Sequence, residues 1–216
     1  MSQRFFECGR HAEIYVKARP RYSEEVFDLI FRYCQTRGGK FKLAVDVACG
    51  TGHQSTLPLV ERFEKVMGLD VSKEQLKQAP KNVANMEFKQ STAEMLCCDP
   101  NSVDFACGLH WFNIPEFFSE VERVLSPGGC LAVYCYGWVS LQQSAAQDIL
   151  QRFITSKLCD YHNNGTRMCT DWYKDVELPF QETQSLLEVY RGSAIDENPR
   201  FTAVFTATIL LGRKPL

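Results

Sequence analysis

Residues 44–52 read Ala-Val-Asp-Val-Ala-Cys-Gly-Thr-Gly, and few folds accommodate that order. The apolar, partly β-branched run from Phe41 to Val47 suits a strand buried on both faces. It stops at a tight turn carrying Gly50 and Gly52. A helix-compatible segment follows, from His53 to about Arg62. Strand, glycine turn and helix in this order are how an open α/β sheet presents backbone to a ligand at the carboxyl end of a strand. Glycine permits backbone angles closed to other residues and has no Cβ to hold a ligand at a distance.

The pattern narrows the ligand. A dinucleotide fingerprint needs a third glycine three residues after Gly52; Ser55 stands there, and Ala48 replaces the first glycine. A nicotinamide cofactor is therefore disfavoured. A phosphate-binding P-loop needs Gly-Lys-Ser/Thr, which the chain lacks. What remains is acid-x-Ala-x-Gly-x-Gly, with Asp46 two residues before Ala48. A carboxylate at the strand end suits a ligand that carries positive charge or amino groups. In this context the stretch resembles the first motif of the class I S-adenosylmethionine-dependent methyltransferases.

At 216 residues, with 45% apolar and 23% charged side chains, the chain suits one domain with one sizeable core. A net charge of −2 offers no electrostatic footprint for nucleic acid. No apolar run approaches transmembrane length, and the first residues lack the apolar segment of a secretory signal. The ten cysteines are scattered and several read as small core residues, which fits a reducing compartment. The four histidines (His11, His53, His110, His162) have no metal-ligand spacing with any cysteine, so no metal is expected. A cytoplasmic monomer without a membrane anchor is expected.

Along the chain, residues 1–22 are aromatic and basic. Ser23 is placed as an N-cap, with Glu24 and Glu25 favourable in the first turn, and Val26 to Tyr33 form an amphipathic helix that ends at Gly38-Gly39. Lys65 to Leu69 reads as a second strand ending at Asp70. An acid about 20 residues past a glycine turn is where such sheets place a partner for ribose hydroxyls. An exposed strand-end position would make Asp70→Ala nearly neutral for stability. Val71 to Leu76 opens the next helix, and Met86 to Phe88 is a third strand. Ser102 to Cys107 is a fourth; its end, Gly108, faces the same crevice as the first strand, which puts His110 and Trp111 where an acceptor could sit. Asn113 with Glu116 spells a capping box, and Phe117, Phe118, Val121 and Val124 form a core stripe. Ser126-Pro127-Gly128-Gly129 turns into a fifth strand, Cys130 to Tyr136. A helix from about Gln142 to Cys159 and an irregular stretch follow. Leu186 to Arg191 and Thr202 to Leu211 read as an antiparallel edge hairpin.

The resemblance spans nearly the whole chain, from Tyr15 to Arg213. It implies a Rossmann-like, seven-stranded α/β sheet of order 3-2-1-4-5-7-6, strand 7 antiparallel, with helices on both faces. The domain would cover residues 1–216, with an N-terminal arm and helix at 1–37 and a shortened substrate-side cover at 137–185. Tyr15, Arg19-Pro20-x-Tyr22, His110-Trp111-Phe112 and Leu210 to Lys214 are similar to the trans-aconitate methyltransferase-like branch, a methyltransferase type 11 domain. The resemblance implies S-adenosylmethionine held by Tyr15, Arg19, Asp46, Ala48, Gly50, Thr51, Gly52, Asp70, Val71, Gln75, Thr92, Ala93, Glu94 and Gly108, with Gln75 and Ala93 beside the adenine. It implies a small-molecule methyl acceptor, carboxylate-bearing in that branch, lined by His110, Trp111 and Tyr136. His110 is the candidate catalytic base. The fourth strand lacks the Asn/Asp-Pro-Pro-aromatic turn of enzymes that methylate bases, so nucleic acid is disfavoured as substrate. One departure stands out. Longer members of the branch carry a helical segment after the equivalent of Pro179-Phe180, whereas here Gln181 to Ser185 passes almost directly into the sixth strand. A non-catalytic paralogue that binds S-adenosylmethionine or a partner is the alternative that this shortening supports.

Overall fold

The computed structural model describes residues 19–36, 38–158, 164–191 and 203–216. Tyr15 and the rest of the expected arm before Arg19 lie outside the described residues. Strands β1 (Leu43–Val47), β2 (Lys65–Asp70), β3 (Met86–Gln90), β4 (Val103–Cys107), β5 (Leu125–Tyr136), β6 (Ser140–Leu141), β7 (Glu182–Arg191) and β8 (Ala203–Arg213) form one sheet of order β3-β2-β1-β4-β5-β8-β6, with β7 also on β8. Pairings from β3 through β5 are parallel. β8 runs antiparallel to β5, β6 and β7. The two-residue β6 continues the β5 edge of β8. Leaving it aside, the order is the expected 3-2-1-4-5-7-6, with β8 as the seventh strand and β7 as the sixth.

Both faces of the sheet are covered, which explains why β1 and β4 read as largely apolar runs, each carrying one buried aspartate, rather than as alternations. On one face, α1 (Glu24–Gln35) packs Val26, Phe27, Ile30 and Phe31 onto Ala44, Phe105, Tyr134 and Ile209. On the other, α4 (Ile114–Val124) packs Phe117, Val121 and Val124 onto Val45, Ala106 and Leu131. A fully buried Phe117 or Val121 contributes about 1.5–3 kcal/mol. Arg213 ties the sheet to the end of α1. Its guanidinium donates to the carbonyl of Tyr33, to Thr36 Oγ1 at 2.9 Å and to the carbonyl of Gly128 at 2.9 Å.

Several local expectations are corrected. The helix after the glycine turn, α2, is only Thr56–Leu59. Pro58 is tolerated in a first turn but cannot donate further in, and the next amides fold back on Leu57 and Leu59. Ser23 and Asn113 occupy N-cap positions, yet neither side chain caps its helix. Glu116 does not complete a box at Asn113. The Asn113 amide donates instead to Glu94 Oε1 at 3.1 Å, which ties α4 to the loop after β3. α3 (Lys73–Lys77) is capped as Ser-first helices are, with the Gln75 amide donating to Ser72 Oγ. Between β3 and β4, Thr92 forms an isolated antiparallel bridge with Met95. β5 starts at Leu125, earlier than Cys130, because Leu125 already pairs with Val103; residues 126–129 bulge out before Cys130 meets Phe105.

Candidate functional site

Asp46 sits mid-sheet, opposite Gly68 on β2 and Cys107 on β4. Asp70 closes the neighbouring strand at the same sheet edge. The two acids therefore stand at the same edge of the sheet, Asp46 in the cavity described below and Asp70 beside it.

Asp46 lies on the floor. It is 3% exposed, accepts from Thr56 Oγ1 at 2.6 Å and takes the Cys107 thiol at 3.3 Å. Burial pushes its carboxyl up to about 6, against the opposing effect of those two donors. The same dry floor holds the Cys49, Cys107 and Tyr134 protons well above their usual ranges.

Asp70 is buried rather than exposed. Its Oδ2 accepts the Gly50 amide and its Oδ1 the Ser72 amide, each at 2.8 Å. Burial raises its carboxyl pKa, partly offset by those amides. Gly50 reaches that bond at a φ of 58°, a left-handed angle that glycine adopts without strain. A Cβ there would meet nothing nearer than Gln75 Oε1, at 3.9 Å. That Oε1 is buried and without a hydrogen-bond partner, an unusual state for a buried acceptor. A ligand with an amino or hydroxyl group over the turn would satisfy it.

Over the turn and the ends of β1, β4 and β5 opens a cavity of about 230 Å³. Arg19, Asp46, Ala48, Thr51, Gly108, His110, Trp111 and Tyr136, all expected site residues, line it. Gly50, Gly52, Asp70, Val71, Gln75, Thr92, Ala93 and Glu94 do not; they flank the adjacent edge formed by β2, α3 and the loop after β3. Among them Val71 is half-exposed while Ala93 is packed into the core. Gly108 (φ 120°) lets the chain turn hard against β1, since a Cβ there would lie 2.3 Å from the Val47 carbonyl oxygen. Arg19 donates to the Tyr136 hydroxyl at 2.6 Å and rests over its ring.

His110 lines the cavity beyond the end of β4. Its Nδ1 lies 2.9 Å from the Tyr173 hydroxyl, and its ring faces those of Trp111 and Tyr173. Sequence reasoning missed Tyr173, Cys135 and Cys169. Cys169 comes from α6 (Asn164–Thr170), the helix that follows α5 (Ser144–Phe153), and Cys135 from β5; both line the cavity. The Cys135 thiol leans on Cys169, reaching its carbonyl oxygen at 3.6 Å. A side-chain hydrogen bond between the two sulfurs, distinct from that carbonyl contact, favours the Cys169 thiolate and keeps the proton on Cys135, so the Cys169 thiol lies below the usual range and the Cys135 thiol above it. No spacing rule links residues so far apart in the chain. Among the described residues, no cluster of three or more His, Cys, Asp or Glu could hold a metal ion, and no helix is long and apolar enough to cross a membrane.

Residues 44–129 match a family described as a methyltransferase domain. A protein of Dictyostelium discoideum named as a methyltransferase is 31% identical over 180 residues, which is 81% of this chain and 66% of that protein's length. The chain thus spans just under two thirds of that relative. A solved methyltransferase structure from Anaeromyxobacter dehalogenans superposes with a TM-score of 0.74 at 22% identity, covering 92% of this chain and 99% of the other. A phosphoethanolamine N-methyltransferase of Haemonchus contortus, solved with phosphomonomethylethanolamine and S-adenosylhomocysteine, superposes at 0.55 with 15% identity, covering 99% of this chain and 59% of the other. The domain match and the relative, on this fold, support the class I S-adenosylmethionine-dependent methyltransferase superfamily. They do not single out the trans-aconitate branch within it.

Proposed function

We propose that this chain is an S-adenosylmethionine-dependent methyltransferase acting on a small molecule. The observation that carries the reading is the split crevice. A cavity with Ala48, Thr51 and Gly108 on its turn side adjoins an edge where Asp70 and an unpartnered Gln75 Oε1 wait. Those residues suit the two ends of a nucleoside linked to an amino acid. Asp70 would take the ribose, Val71, Gln75 and Ala93, with Thr92 and Glu94, the base, and Arg19, Ala48, Thr51 and Gly108 the amino-acid end.

When bound, S-adenosylmethionine supplies a methyl group activated by its sulfonium. The chain's own task is to hold the acceptor in line, which can lower a barrier by about 7–11 kcal/mol. His110 orients the acceptor or takes its proton if it is a phenol, thiol or amine. A carboxylate needs no base, and Arg19 offers it a charged partner. Trp111 and Trp138 line the same cavity. The carboxylate-bearing acceptor and the trans-aconitate branch belong to this proposal, as does a monomeric cytoplasmic protein.

A second reading, binding without turnover, is favoured by one observation. β7 begins at Glu182, two residues after the buried Phe180, which leaves no helical insert there. Incubating the protein with methyl-labelled S-adenosylmethionine and a panel of small carboxylates, phenols and amines separates the two. Label transfer to an acceptor supports the enzyme. S-adenosylhomocysteine binding with no transfer to any acceptor favours the second reading.

A further inference from the structure

Two segments bring aromatic rings to the cavity. The chain after β4 supplies His110 and Trp111, whose rings stand 5.3 Å apart. The end of β5 supplies Tyr136, with the Tyr22 ring 5.3 Å from it, and Trp138 follows. Trp111 and Trp138 line the cavity while 41% and 39% exposed.

Close packing holds this rim. A Cβ on Gly165, in α6, would press on the His110 carbonyl and stand 2.6 Å from Trp111 Cε3. A Cβ on Gly137, between Tyr136 and Trp138, would stand 2.7 Å from Trp172 Cη2. Trp172 reaches that place from the left-handed region, at φ 59°, and Tyr173 follows it at 53°. Such strain in a residue other than glycine persists only where surrounding contacts over-determine it, and it clusters at working sites.

Charge in the cavity is sparse. Among the described residues, Arg19 is the one lysine or arginine that lines it, and Asp46 the one carboxylate. Asp46 is engaged on the floor by Thr56 and Cys107. The Arg19 guanidinium rests 5.5 Å from the centre of the Tyr136 ring. An acceptor with several carboxylates would leave all but one without a cation, and burying an unpaired charge is costly. A cationic amine would meet Arg19 at the same wall and be repelled. A flat ring suits the lining, because aromatic groups favour offset or edge-on contact with one another.

Resting on the methyltransferase reading, we propose that the acceptor is an arene carrying one acidic oxygen, a phenol or an aromatic monocarboxylic acid, which Trp111 and Trp138 select by ring-to-ring contact. The acceptor oxygen forms the bond to the methyl carbon, and the carbon–sulfur bond breaks with its electron pair going to sulfur. A phenol's proton passes to His110; a carboxylate has none to lose. The products are the aryl methyl ether or ester and S-adenosylhomocysteine.

The test measures label transfer by the full chain from methyl-labelled S-adenosylmethionine. Phenols and aromatic monocarboxylic acids are each paired with their ring-saturated counterparts, and aliphatic tricarboxylates and amines are run beside them. Arenes should be methylated with a kcat/KM about tenfold above their saturated partners. W111L and W138L keep an apolar side chain without the ring, so each should cut that preference by about two- to tenfold, and W111F and W138F should restore it. No transfer to any arene, equal transfer to ring and saturated partner, or a preference for aliphatic acids or amines overturns the proposal. So does an unchanged preference in a leucine variant; should one of the two fail to fold, the other decides. A melting scan of the same samples with S-adenosylhomocysteine keeps the two readings apart. A shifted melting temperature without the aromatic preference sinks only the acceptor class, whereas no shift sinks the methyltransferase reading as well.

Discussion

The Asp70 carboxylate accepts the Gly50 amide at 2.8 Å, so the acid that closes β2 sets the shape of the turn that closes β1. Turn and acid thus form one unit. Asp70→Ala should leave the Gly50 and Ser72 amides unpaired at a buried position, costing about 1–3 kcal/mol. It should also weaken S-adenosylhomocysteine binding. Chemical denaturation together with calorimetric titration checks both; unchanged values in the two experiments would contradict this coupling.

Asp46 makes stability depend on pH. Its carboxyl is raised to about 6 in the fold, against about 3.9 in an unfolded chain. The folded state therefore binds the proton more tightly, and this stabilisation, complete below pH ~4, is lost as pH rises through ~6. The full swing is at most about 3 kcal/mol. Asp46→Asn should remove that swing, so its stability relative to the parent should improve between pH 4 and 7. Parallel urea titrations that give a constant difference across this range would contradict the assignment.

His110→Ala should lower kcat by roughly 10²–10⁴-fold for an acceptor that must lose a proton, with S-adenosylhomocysteine affinity kept. For a carboxylate acceptor the loss should be smaller. Equal losses across both kinds of acceptor would exclude a proton-taking role.

Gly108→Ala should destabilise the fold and close the cavity mouth. A left-handed alanine is strained by about 1–3 kcal/mol, and its Cβ would sit 2.3 Å from the Val47 carbonyl oxygen. A melting temperature equal to the parent's would contradict so close an approach of β4 to β1.

The sheet was legible in the sequence because burial on both faces leaves its mark as apolar runs at β1 and β4, and because Gly50, Gly52 and Asp70 occur at the spacing that a parallel sheet imposes. The edge strands were less so: β7 begins four residues before the expected Leu186, since pairing to β8 rather than apolarity holds its start. The cavity floor and His110 followed from topology. Tyr173 did not. It reaches His110 across 63 residues through a strained turn that leaves no periodic trace, and the Cys135–Cys169 contact depends on how α6 settles over β5. The capping box failed on its Glu116 side because Glu94, distant in sequence, takes the Asn113 amide, and Pro115 removes one of the first-turn amides that the Asn113 side chain could have capped.

In the proposed methyltransferase, the cavity over Asp46 and the adjoining edge at Asp70 together take a nucleoside joined to an amino acid. Thermal melting of the purified chain with saturating S-adenosylhomocysteine, and separately with NAD, tests it most directly. A ligand that binds only the folded state must raise the melting temperature, by about 2.7 kcal/mol of stabilisation at a hundred times its dissociation constant. A clear rise with S-adenosylhomocysteine and none with NAD is expected; a rise with NAD alone, or with neither ligand, would overturn the proposed function.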